Sequence, residues 1–226
     1  MSVGGARSAS DPGARGGAAH RAHASIREAI LRGELAPATM LSENDLAATL
    51  GMSRTPVRAA LSRLQDEGWV TIYPQRGALV RELSDAEVRE CADVRNALES
   101  AGILRSSAER RARLADELAG NVDRQARALA DLDLAAFAAL ALEFHRTFVV
   151  MSGNDTMLEV YDRLRDRQYL SIVRSAHRIS GDPEQVLTEH RILLEDARRG
   201  DWTAFSTHLG DHQTRSHGLE TGLGQG

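Results

Sequence analysis

Apolar positions along the chain follow two different rhythms, and the change between them falls near residue 83. From His20 onward, Ile26, Ile30 and Leu31 recur at helical spacing, and the run closes at "RGELAP", where Gly33 and Pro37 break the pattern. A second amphipathic stretch follows in "LSENDLAATLG". Ser42 is placed to cap it, Asp45 stands three residues on, and Leu46, Ala47 and Leu50 share one face. Gly51 ends that helix. Ser53 then opens another, in which Pro56 sits in the tolerated first turn and Val57, Leu61 and Leu64 repeat as far as Glu67. Two short β-rich runs, Trp69–Tyr73 and Ala78–Arg81, are joined by "PQRG" and predict a two-stranded wing.

Beyond Leu83 strand formers become sparse and long helical periods take over. The spacing predicts helices near 85–118, 119–131, 133–152, 155–178, 183–199 and 201–217, interrupted at "SGND", "SGDP" and "RGD". Residues 1–19 and 219–226 carry no hydrophobic period and are read as a disordered arm and tail. The predicted fold is therefore mainly α. A winged helix-turn-helix spans 20–82, and an all-helical bundle with a ligand-binding role spans 83–218.

With 226 residues and 42% hydrophobic composition, the chain has material for two ordinary cores. No run approaches the roughly 18–20 apolar residues of a membrane span, and the N-terminus lacks an apolar signal region. Cys91 is the single cysteine, so no internal disulfide forms. Both features lead to the expectation of a cytoplasmic protein without a membrane partner. The net charge of −4 is unevenly spread. Residues 20–81 hold eight Arg against six Asp and Glu, a balance of +2, whereas 82–226 hold eighteen against twenty-five, a balance of −7. All basic residues are Arg, which looks like a genome-wide composition bias and warns against reading each one as a phosphate contact.

A mildly basic helix-turn-helix suggests duplex DNA, because the N-terminal turn of a recognition helix reaches base edges in the major groove. Here that turn carries Arg54, Thr55 and Arg58. Arg54 suits guanine O6 and N7, Ser53 and Thr55 suit phosphate, and Arg58 suits a phosphate or a second base. In the wing, Gln75 and Arg76 beside Gly77 are placed for a minor groove or backbone contact. Any such helix can also be a solvated Arg face. The cap, turn, first-turn residues and wing occurring in order argue for DNA. On this stretch, "LSENDLAATLGMSRTPVRAALSRLQDEGWV", residues 20–82 resemble the winged helix-turn-helix of the GntR family of bacterial transcription regulators. The C-terminal part resembles the all-helical FCD ligand domain of the FadR-type branch. The resemblance implies that Arg54 and Arg58 grip the operator with Thr55 on phosphate. Family members often carry Arg where this chain has Asn44, leaving one operator contact unassigned.

Three histidines lie on the apolar stripes of three different helices. His145 follows Phe137, Ala141 and Phe144; His190 shares a face with Val186, Leu193 and Ala197; His212 lies with Phe205 and Leu209. Each is either a hydrogen-bonded core residue or one of three converging imidazoles able to hold zinc or nickel. Of its neighbours, His208 is a secondary candidate and His217 is expected to point to solvent. The FCD resemblance adds a pattern: an Asp one turn before an "FH" pair, a His in an "EH" pair, and a His 22 residues later. Phe144–His145, Glu189–His190 and His212 match it, whereas Ala141 stands where the Asp is expected. The implied site has three ligands and room for water or an effector carboxylate. The family's R-x-x-x-E pattern falls on Arg95 and Glu99, which implies that both belong to the effector site, with Arg95 facing the pocket to clamp a carboxylate. Asn154 is either a helix cap or a pocket residue. These readings together predict a DNA-binding regulator, a repressor by the family's commoner behaviour. It is expected to be a homodimer on a palindromic operator, modulated by a small carboxylate through the connection around Leu83–Glu87. A metal-dependent hydrolase using the three histidines is the competing reading, and an interaction module the third.

Overall fold

The computed structural model describes residues 12–219 and divides between Arg81 and Glu82 into two compact units. In the first, helix α1 (Pro12–Leu31) packs across helix α3 (Arg54–Asp66), and α2 (Glu43–Thr49) precedes α3 through the turn at Gly51. Ile26, Ile30, Val57, Leu61, Leu64 and Trp69 are buried between these elements and the sheet. Two side-chain contacts tie α1 to the residues just after α3. His23 Nε2 lies 2.6 Å from Glu67 Oε2, and the Arg27 guanidinium sits 4.8 Å over the Trp69 ring.

The small sheet has one strand more than the sequence pattern predicts. β2 (Val70–Tyr73) and β3 (Gly77–Val80) form the expected hairpin, and β1 (Met40–Leu41) pairs antiparallel with β3 through Met40 opposite Leu79 and Leu41 opposite Ala78. A two-residue strand is too short to show a period. α1 likewise begins earlier than expected, inside the segment read as a disordered arm. The added residues, PGARGGAA, carry no apolar spacing of their own and adjoin a helix anchored by Ala22, Ile26 and Ile30. The remainder of the predicted arm, residues 1–11, and residues 220–226 of the predicted tail lie outside the described residues. Leu219, assigned to that tail, is buried.

The second unit is all-helical: α4 (Asp85–Arg105), α5 (Ala108–Ala130), α6 (Leu134–Val150), α7 (Asp155–Asp162), α8 (Arg165–Arg174), α9 (Ala176–Gly181), α10 (Pro183–Arg199) and α11 (Trp202–His217). The first break falls at Ser106–Ser107 and not at 118/119. Ser106 terminates α4, while the Ser107 hydroxyl accepts the Arg110 N–H and restarts the helix, a stop and start signal in adjacent serines. The helix expected over 155–178 is interrupted near Leu164 and Ser175 into three shorter ones. α4 starts at a complete capping box between Ser84 and Glu87. Phe137, Phe144 and Phe148 of α6 meet Phe205 of α11, Leu118 of α5 and Leu193 of α10 in one core. Among the described residues no helix is long and apolar enough to cross a membrane.

One crossing in this unit is unusually close. A methyl group placed on Gly102 of α4 would stand 2.0 Å from the Phe148 carbonyl oxygen of α6, so only glycine permits this approach. Gly102→Ala should therefore push α4 from α6 and lower stability by roughly 1–3 kcal/mol. The denaturant midpoint of the variant measures this directly, and a midpoint equal to that of the parent protein contradicts the tight crossing.

Candidate nucleic-acid face and metal centre

Side chains on α3 and the wing frame a concave groove of about 620 Å³ on the first unit. Arg54, Arg58, Gln75 and Arg76 are exposed along it, with Ser42 and Asn44 on the α2 side. Ser53 occupies the N-cap position of α3 but makes no side-chain capping bond, and with Thr55 it lies exposed beside the free amides of that helix end. Gly77 has a different role. Its φ is +111°, and a side chain there would meet the Leu41 carbonyl oxygen at 2.2 Å, so the glycine serves the β1–β3 pairing. Glu43, which the sequence pattern did not single out, bonds both Arg54 and Arg58.

In the second unit His145, His190 and His212 converge from α6, α10 and α11. One nitrogen from each lies within 4.8 Å of the others, and all three residues are buried. A neighbouring acceptor holds each Nδ1: Glu99 Oε2 at 2.8 Å from His145, Gln125 Oε1 at 2.6 Å from His190, and Glu189 Oε2 at 2.7 Å from His212. Carboxylate oxygens only accept, so Nδ1 donates in His145 and His212. For His190 the Leu140 carbonyl decides the matter. It accepts from Asn121 Nδ2, whose Oδ1 accepts from Gln125 Nε2, so Gln125 must present its oxygen to His190. In its neutral form each imidazole then offers its Nε2 lone pair to the common centre. His190 Nε2 is buried with no hydrogen-bond partner among the described residues. Burial also depresses the pKa of His145 and His190 well below the usual histidine range, with nearby positive groups adding to the effect, which keeps their lone pairs available. The residues present fit a divalent metal on three imidazoles.

The adjoining cavity is small, about 30 Å³, and is lined by Arg95, Ala141, the three histidines and His217. His217 corrects the solvent-facing expectation. Its Nδ1 lies 3.0 Å from Ser175 Oγ, and burial pushes its pKa down to about 3. The 140° offset from His212 on an ideal helix does not imply solvent here, because α8 and α9 cover that side of α11. His208 instead pairs with Asp196 at 2.6 Å on the outside. Arg95 lines the cavity as expected, with Nε on Glu99 Oε1 at 3.1 Å and Nη2 buried without a partner. The Glu99 charge holds Arg95 cationic more firmly than usual against the opposing effect of burial. Glu99 does not line the cavity. Its two oxygens already accept from Arg95, His145 and the Tyr161 hydroxyl, the last at 2.8 Å. Asn154 is also removed from the pocket set: its Oδ1 caps α7 through the Met157 N–H at 3.1 Å, and it does not line the cavity.

Gln125 and Tyr161 were missed by sequence reasoning. Gln125 did leave a signal, since it falls between Val122 and Leu129 on the buried stripe of α5. Tyr161 reaches Glu99 across 62 positions and leaves none.

Comparison with known proteins agrees with both units. Residues 18–80 match the model of bacterial regulatory proteins of the gntR family, and residues 90–215 match the FCD domain. An uncharacterised HTH-type transcriptional regulator in an unstable DNA locus of Streptomyces ambofaciens is 33% identical over 192 residues, 81% of this chain and 78% of that protein. The HTH-type transcriptional repressor RspR of Escherichia coli K12 is 27% identical over 191 residues, covering 83% of this chain and 82% of that one. Among solved structures, a GntR transcriptional regulator from Rhodococcus sp. RHA1 has a TM-score of 0.71 at 23% identity, covering 89% of this chain and 98% of that one. E. coli McbR/YncC has a TM-score of 0.69 at 18% identity and covers 89% and 96%. The two matches cover the two units in order, and the chain belongs to the GntR family of transcription regulators, in the branch that carries an FCD domain.

Proposed function

We propose that this regulator is a repressor whose grip on a palindromic operator is altered by a small organic acid in its helical unit. The observation that carries the reading is the set of exposed cations at the start of α3 and at the wing tip, on one groove of the first unit. Arg54 forks onto a base edge, Arg58 onto a phosphate or second base, Ser53 and Thr55 onto phosphate, and Gln75 and Arg76 onto the neighbouring backbone or minor groove. Related proteins described as the D-xylose utilisation repressor of Paenarthrobacter nicotinovorans and the gluconate operon repressor of Bacillus licheniformis support the sign of control. The protein acts in the cytoplasm as a homodimer, whose two recognition helices address half-sites about one helical turn apart.

His145, His190 and His212 would hold a divalent metal, zinc or nickel by donor type, with Glu99, Gln125 and Glu189 orienting the rings. When bound, the metal supplies an electrophilic anchor for a carboxylate oxygen, and Arg95 supplies a guanidinium beside it. Ala141 leaves that side without the expected anionic ligand. A cavity near 30 Å³ holds about one water, so a larger acid requires the cavity wall to move. That displacement is the conformational change we assign to the effector, and by linkage it changes operator affinity and effector affinity by the same factor. The hydrolytic alternative has no support: Glu143 is exposed on the outside of α6, and Glu189 is engaged by His212, Arg215 and Gln185, so neither carboxylate is placed as a general base.

Selection of bound duplexes from a random pool, followed by release with small organic acids, tests the proposal; enrichment of one palindrome supports it and unselective recovery contradicts it. Arg54→Ala should cost roughly 1–3 kcal/mol of discrimination between that duplex and a scrambled one. Elemental analysis of protein purified without chelator or nickel column should find close to one metal per chain, lost in His190→Ala, whereas a content near zero in the parent protein contradicts metal binding. In metal-free protein, His145, His190 and His217 resist protonation when folded but accept it near pH 6.5 when unfolded. Stability should therefore fall as pH drops from about 6.5 toward 3, read by thermal melts across a pH series. A flat profile over that window contradicts the buried neutral histidines.

A further inference from the structure

Two cations meant for a polyanion are held by an anion in the free protein. Glu43, the first residue of α2, sits half-buried behind the groove with its side chain 22% exposed, while those of Arg54 and Arg58 are 58% and 64% exposed. Arg58 grips the carboxylate with two arms of its fork, Nε on Oε1 at 3.0 Å and Nη2 on Oε2 at 2.9 Å. Arg54 gives one N–H to Oε2 at 3.2 Å and keeps the rest of its fork free. The Arg58 and Arg54 hydrogen bonds hold the Glu43 carboxyl below the usual range despite its partial burial, so it stays charged through the neutral range.

From this geometry we infer that Glu43 is a positioning and specificity-determining residue. It holds the two guanidiniums as a preformed pair at the mouth of the groove and reduces their attraction for phosphate of any sequence. Two consequences follow, one from charge and one from the position of the hydrogen bonds. The pair presents +1 to the duplex and not +2, which weakens binding to DNA that offers only phosphates. The side chain of Arg54 is restrained where its remaining donors can fork onto a base edge, so the correct sequence does not bear the full cost of ordering it. Discrimination gains on both sides. The inference rests on the base-reading role proposed for Arg54, and it extends that role to a residue on the preceding helix.

The test compares full-length protein with Glu43→Gln, Glu43→Ala and Arg54→Ala on two duplexes, the one enriched from the random pool and its scrambled version, by fluorescence anisotropy over a salt series. Glutamine keeps the size and hydrogen-bonding reach of the side chain and removes only its charge, which guards against loss of the α2 start; circular dichroism reports the fold. Both Glu43 variants should bind the scrambled duplex more tightly, with a log–log salt slope steeper by up to about 0.9, and the specificity ratio should fall roughly tenfold. If Arg54→Ala lowers the ratio while both Glu43 variants keep the parent ratio and slope, the positioning role is overturned and the base-reading role stands. Equal weakening on both duplexes also overturns it, by marking Glu43 as a structural residue. An Arg54→Ala variant with unchanged preference overturns the reading beneath it.

Discussion

A carboxylate with no exposed surface, Glu99, is the constraint on which the helical unit depends. An isolated buried charge of this kind is prohibitive, and Glu99 is tolerated because Arg95, Tyr161 and His145 all donate to it. Burial pushes its pKa up, and the Arg95 charge opposes that shift most strongly. Three helices, α4, α6 and α7, are tied by these bonds to one point. The close α4–α6 crossing at Gly102 lies one turn from Glu99 on the same helix, so backbone approach and ring orientation are set together. Glu189 and the Asn121–Gln125 relay repeat the device for His212 and His190 with different chemistry.

These supports hold three histidines of an apolar core in defined orientations. A core histidine uses both nitrogens or leaves one in water. Here every Nδ1 has an assigned acceptor, and His190 Nε2 has none although it is fully enclosed. The cost of such an orphaned group falls on the protein unless a ligand relieves it. Placing Arg95 Nη2, another unpartnered buried donor, beside the same cavity gives the centre both a Lewis base triad and a cationic neighbour. That pairing suits an anionic ligand better than a neutral one.

Much of this was legible in the chain because it was local. The Ser42 cap, the Gly51 turn, the α3 stripe, the hairpin and the three inward histidines each follow from residues within one or two turns of one another. What escaped depends on tertiary contacts or on elements too short to carry a period. β1 has two residues; the α4–α5 break is written only in Ser106–Ser107; His217 is covered by helices distant in sequence. The family pattern put Glu99 at the pocket and left Asn154 as cap or pocket residue, and in the structure the first supports His145 and the second caps α7. Glu43 was invisible for the same reason as Tyr161, since its bonds span 11 and 15 positions between helices.

The central claim is that second-layer acceptors fix the three imidazoles with Nδ1 protonated and Nε2 facing a shared centre. Nitrogen-15 NMR of the ring nitrogens in metal-free protein measures this most directly. The account predicts the Nδ1–H tautomer at His145, His190 and His212, with the His190 signature lost when Gln125 is replaced by Leu. Nε2–H tautomers at these positions, or rapid exchange between the two forms, would contradict it.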